Sequence, residues 1–118
     1  MITDERTNEQ ISAALAERLL HWKQGPFGTW FDHDGLIVND PIFASDHNAA
    51  LGLVVDAMLE RPGYNSFECG ATKSGIYYAV FRKNHGPSAA GYSENNEALP
   101  RAICLAAEAA LDAEEAQG

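Results

Sequence analysis

The chain has 118 residues, 46% of them hydrophobic, with 8 Lys and Arg against 17 Asp and Glu for a formal net charge of −9. That length suits one domain spanning residues 1–118, and the apolar fraction is too high for a disordered tail, so a core can form without metal or disulfide staples. The acidic excess argues against binding a nucleic-acid backbone or an anionic membrane, because affinity for either comes from Lys and Arg.

Thr7 followed by Gln10 is a capping box, in which each side chain satisfies a free backbone N–H of the other residue. Ile11, Ala14, Leu15, Arg18, Leu19 and Trp22 then recur at helical spacing and predict a first helix, stopped by Gly25-Pro26. Phe27 to Phe31 and Leu36 to Val38 flank Asp32-His33-Asp34-Gly35. Aromatic and β-branched runs around such a turn predict a hairpin, which Asn39-Asp40-Pro41 ends. Ser45 is the expected N-cap of a second helix, with Asp46 in its first turn. Ala50, Leu53, Val54, Ala57 and Met58 form its apolar face, and Arg61-Pro62-Gly63 closes it.

Tyr64 to Ala71 and Ile76 to Lys83 bracket Thr72-Lys73-Ser74-Gly75 as a second hairpin. Ile76, Tyr78 and Val80 alternate with Tyr77, Ala79 and Phe81, so both faces of that strand are apolar and it belongs in the middle of a covered sheet. Ser88 to Ser93 is expected to return as a third strand. Pro100 fits the N1 position of a last helix, whose stripe of Ile103, Ala106, Ala107, Ala110 and Leu111 lets it lie close to the sheet. Glu114 and Glu115 fall where the helix dipole disfavours them, so 113–118 are expected to fray, as are 1–6. The order is α-ββ-α-βββ-α. The fold class is α+β, a three-layer α/β/α sandwich with a short antiparallel sheet covered by helices.

Three stretches carry a resemblance: Leu15-Ala16-Glu17-Arg18-Leu19-Leu20-His21-Trp22, Phe43-Ala44-Ser45-Asp46-His47-Asn48-Ala49-Ala50, and Leu99-Pro100-Arg101-Ala102-Ile103-Cys104-Leu105-Ala106-Ala107. Together they resemble the phage ABA sandwich domain family over nearly the whole chain. The resemblance implies an α/β/α sandwich and a phage or prophage origin. It brings no established activity and no catalytic residues, so the Ser45-Asp46 cap and the Pro100 helix start carry over as structure only. The acidic C-terminal tail departs from the family pattern.

Catalysis finds little support in the residues. Cys69 and Cys104 form no CxxC pair, lack a local activator and read as buried thiols of a reducing compartment. Asp32, His33, Asp34, Asp46 and His47 are the most suggestive polar set for a metal, yet Asp is common in turns and first helical turns for backbone reasons, so no metal and no cofactor is expected. Ser45-Asp46-His47 are neighbours at a helix start and do not face one another as a triad does. There is no Gly-x-Ser-x-Gly elbow and no phosphate-cradling loop. A small metal-dependent hydrolase is the most distant reading.

The charge is unevenly spread. Between Gln24 and Glu60 there is no Lys or Arg, while Asp32, Asp34, Asp40, Asp46, Asp56 and Glu60 are present. From Arg61 to His85, Arg61, Lys73, Arg82 and Lys83 face only Glu68. The two regions either neutralise each other or face water, or one of two functions uses them. In the first, Lys73, Arg82, Lys83 and His85 with Tyr77 or Tyr78 make a pocket for a small anionic, nucleotide-like ligand. In the second, Trp30, Asp32, Asp34 and Asp40 dock a basic host protein while the basic hairpin helps build a homodimer. The favoured expectation is a non-enzymatic phage or prophage accessory binding protein, active in counter-defence or host modulation. No secretory signal is visible at residues 1–6 and no run reaches the ~18 apolar residues of a membrane span, so the bacterial cytoplasm is the expected location.

Overall fold

The computed structural model describes residues 6–83, 91–95 and 98–117, without the side chains of 91–95 and 116–117. Helix α1 (Asn8–Arg18) starts at the capping box: Gln10 N–H donates to Thr7 Oγ1 over 3.2 Å and Thr7 N–H to Gln10 Oε1 over 2.8 Å. It buries Ile11, Ser12, Leu15 and Ala16. The helix stops well before Gly25-Pro26, because His21 takes a left-handed backbone (φ 60°) and Trp22 N–H turns back to the Ala16 carbonyl at 2.8 Å. Histidine is among the few side chains that tolerate this conformation, and it ends the helix where glycine would be usual.

The freed residues Lys23–Gln24 form strand β1, which pairs with β2 (Trp30–Phe31), and β2 pairs in turn with β3 (Ile37–Val38). The expected hairpin is therefore the core of a three-stranded antiparallel sheet, with Phe27 left outside it in a short 3-10 turn, Pro26–Gly28. Asp32 Oδ1 accepts from the N–H groups of Asp34 and Leu36, both at 2.9 Å, and Gly35 supplies the positive φ of the turn. Phe31 lies across β1 so closely that a Cβ on Gly25 would sit 2.7 Å from its ring.

The second helical rod runs from α2 (His47–Ala49) through a π-helical stretch (Ala50–Val55) into α3 (Asp56–Glu60). Its N-cap is Asp46, accepting from Ala49 N–H at 2.8 Å; Ser45, the expected cap, instead donates to the Ile42 carbonyl. The wider π winding rotates the apolar face. Val54, Val55 and Met58 are buried, while Leu53, expected inside, is 41% exposed.

Strands β4 (Tyr64–Ala71), β5 (Tyr77–Lys83) and β6 (Gly91–Asn95) form a second antiparallel sheet in the order β4-β5-β6. The turn between β4 and β5 is the expected Thr72–Gly75, with Gly75 at φ 80°. Ala79, Val80 and Phe81 are buried in succession, so the middle of β5 is withdrawn from water on both faces, as its two-faced apolar pattern requires. The expected third strand, Ser88 to Ser93, is seen from Gly91 onward as β6, and positions 88–90 lie outside the described residues.

Helix α4 (Leu99–Gln117) packs over β5 and β6 and also touches α1 and the π stretch. Ala102, Ala106, Ala107 and Ala110 are fully buried, and their small side chains permit those close approaches. Phe43, Phe81, Ile11, Leu15, Met58 and Ile103 fill the core, each worth roughly 1.5–3 kcal/mol on burial. The helix runs on past 113, and its last acidic residues have partners. Glu114 is bound by Arg61 and by the Tyr64 hydroxyl at 2.8 Å, and Glu115 by Arg18 at 3.0 Å. These partners outweigh an unfavourable dipole worth only about 0.3–1 kcal/mol. The chain is an α+β sandwich; the strands divide into two small sheets rather than one.

Candidate functional site

The ion pairs explain where charge is spent. Arg6 grips the buried Glu108 at 2.6 and 2.9 Å, Arg18 reaches Asp112 at 2.8 Å as well as Glu115, and Arg61 holds Glu114. These three arginines thus neutralise the acidic face of α4. Among the described residues no Lys or Arg pairs with Asp32, Asp34, Asp40, Asp46, Asp56 or Glu60. Among the described residues the one ion-pair contact in that acidic stretch is His33 Nε2 at 3.4 Å from Asp34, and both side chains are exposed. Among the described residues the basic hairpin forms no ion pair with the acidic stretch.

Among the described residues, Lys73, Arg82 and Lys83 do not converge on one place. Lys73 sits in the turn at one end of the β4–β5 hairpin, while Arg82 pairs with Ser66 near the other end, on the order of 17 Å along the strand. Strand alternation places Arg82 with Tyr78 and Val80 on one face and Lys83 on the opposite face. There Lys83 Nζ stands 5.2 Å from the centre of the Tyr64 ring. Tyr78 lies over Gly70, its hydroxyl 3.0 Å from where a Cβ would be. His85 lies outside the described residues.

The acidic set is divided between the two ends of the first sheet. Asp34 is exposed at the tip of the β2–β3 turn, and Asp40 is exposed beyond the end of β3. Asp32 is a turn-forming residue, with one oxygen already taken by two backbone N–H groups. Trp30 is a correction: at 5% exposure it belongs to the core with Val38 and is not an exposed anchor, because residues on that face of β2 point inward. The large apolar side chains left in water are others, which alternation alone did not single out. Phe27 is fully exposed, Ile37 74% and Leu36 65% exposed, and Ile42 half exposed.

Phe27, Asp40 and Ile42 line one open groove, floored by Trp30 and Val38, at the end of the first sheet. Phe27 is held there at φ 63° between Pro26 and Gly28 (φ 77°). A left-handed backbone costs a non-glycine residue about 1–2 kcal/mol, and this side chain recovers none of it by packing. The other face of the same sheet carries a shallow pocket around Phe31, His21, Lys23 and His33. No group of three His, Cys, Asp or Glu able to hold a metal occurs among the described residues. Neither thiol is primed as a nucleophile: burial, then the charge of Glu68, pushes Cys69 up, and burial pushes Cys104 up. No described helix is long and apolar enough to cross a membrane.

The family model of the phage ABA sandwich domain matches residues 13–107. A crystal structure of a phage protein from Bacillus cereus ATCC 14579 superposes with a TM-score of 0.67 at 18% identity, covering 95% of this chain and 94% of that one. At that identity the likeness speaks for the fold. No curated protein matches the chain.

Proposed function

The chain belongs to the phage ABA sandwich domain family, and from that premise we propose that it is a non-enzymatic accessory protein that occupies a basic host protein in the bacterial cytoplasm. The observation that carries this reading is Phe27, a fully exposed aromatic held in a left-handed backbone beside Ile42 and Asp40. Folding gives no return for that arrangement, whereas a partner that covers the ring does. An aromatic anchor beside an apolar wall is the usual centre of a protein interface. Asp40 beside it, and the other acids of the stretch that no Lys or Arg neutralises, favour a partner of opposite charge and speed its approach. Occupying such a partner suits a counter-defence or host-modulating role; that last step is association by origin and not site chemistry.

The test is capture of host proteins by immobilised chain, compared between wild type, Phe27→Asn and the double variant Asp34→Asn/Asp40→Asn. Asparagine tolerates the left-handed backbone, so Phe27→Asn is expected to keep or slightly raise the melting temperature while losing the partner. The double Asp variant is expected to weaken capture, as is added salt. A partner held equally by all three proteins at low and high salt would sink the reading.

A further inference from the structure

Strand β4 is paired only on its β5 side; among the described residues no strand occupies its outer edge. Such an edge exposes a row of free N–H and C=O groups, and proteins that keep an edge single blunt it with Lys, Pro or a bulge. Here Tyr64–Ala71 contains no Lys and no Pro, and its one irregularity lies between Tyr64 and Ser66. From Ser66 to Ala71 the register against β5 is unbroken. Asn65, Ser66, Glu68 and Ala71 are exposed.

An identical antiparallel edge is complementary to this one by symmetry, so a two-fold axis normal to the sheet can join two copies. That axis leaves every side chain on its own face, so only residues on the same face come opposite. It must pass through a residue. Centring on Glu68 would set two carboxylates against each other, which is unfavourable. Centring on Phe67 would draw the irregular end of the strand into the ladder. Centring on Cys69 uses the regular stretch and sets Glu68 opposite Gly70, the position without a side chain.

We propose that the outer edge of β4 pairs with the same edge of a second copy about a two-fold axis at Cys69, giving one continuous six-stranded sheet. Phe67 then faces Ala71 of the other copy, and both acidic docking grooves are carried by one particle. The edge is short and each copy bears a charge of −9, so pairing depends on concentration and strengthens with salt, which screens the repulsion.

Analytical ultracentrifugation across concentration and salt is expected to show the 12.8 kDa chain giving way to a species of twice that mass. A short bis-maleimide is expected to link two copies through Cys69, since Cys104 is fully buried. In the variant Cys69→Ser/Ala71→Cys the two thiols would stand about 14 Å apart, and linking is expected to fail. A single 12.8 kDa species under every condition overturns the proposal. So does a dimer that does not link at position 69, or linking at 71 as efficient as at 69.

Discussion

Ser12 and Phe27 are opposite cases of one side chain answering to the backbone. Ser12 is fully buried within α1, and its Oγ accepts the N–H of Ala44 at 3.0 Å across 32 positions of chain. Replacing it with Ala leaves that N–H buried and unpaired, so Ser12→Ala is expected to cost about 1–3 kcal/mol, read by chemical denaturation. Ser12→Thr, which keeps the acceptor, should lose less unless the added methyl crowds the core. Nothing in the sequence announces this contact, because a serine beside Ile11 in a helix has no visible partner until the segment before α2 folds back. Phe27 was legible only as one end of an aromatic run. Its left-handed backbone, between Pro26 and Gly28, is a local geometry that counting apolar positions does not reveal. His21 was likewise hidden, since a helix that ends on histidine instead of glycine gives no stop signal.

At the level of elements, the sequence predicts α1, the β4–β5 hairpin and α4 well, because each rests on local chemistry: a capping box, a Gly75 turn, a proline start. It fails where one element answers to another. Lys23–Gln24 becomes a strand only because β2 is there to receive it, and Leu53 turns outward only because the rod winds as a π-helix. The end of α4 shows the same dependence. Arg61, at the close of α3, holds Glu114 and pulls its carboxyl below the ordinary value of 4.5; burial opposes this and the Tyr64 hydroxyl assists. A carboxyl with a depressed pKa in the folded chain adds stability above its unfolded pKa, and that contribution fades as pH falls through the folded one. The melting temperature of wild type should therefore exceed that of Glu114→Gln at neutral pH, and the gap should close as pH drops below 4.5. A gap that stays constant through the acid range would mean that Glu114 acts by packing and not by charge.

Across the whole molecule, the sum of charges was plain in the sequence but its division was not. The run from Gln24 to Glu60 without Lys or Arg suggests that neighbouring basic residues answer it. The fold instead sends Arg6, Arg18 and Arg61 to the acids of α4 and leaves the acidic stretch uncompensated. Two populations of carboxylate result, and they should respond to neutralisation with opposite sign. Asp112 has Arg18 at 2.8 Å, so Asp112→Asn removes an attraction. Among the described residues Asp40 and Asp56 have no ion-pair partner and Asp34 has only the exposed His33, so in a chain of net charge −9 replacing all three with Asn relieves repulsion in the folded state. Each change is small, within about 0.5 kcal/mol for an exposed charge, so the triple variant is the informative one. Its melting temperature is expected to rise above wild type at low ionic strength while Asp112→Asn falls below, and both differences should shrink as salt screens the charges. Under the proposed docking role, such acids trade some stability for attraction to a basic partner. A triple variant less stable than wild type at low salt would show that those carboxylates are held by the fold, and the acidic half would lose its claim to be a docking surface.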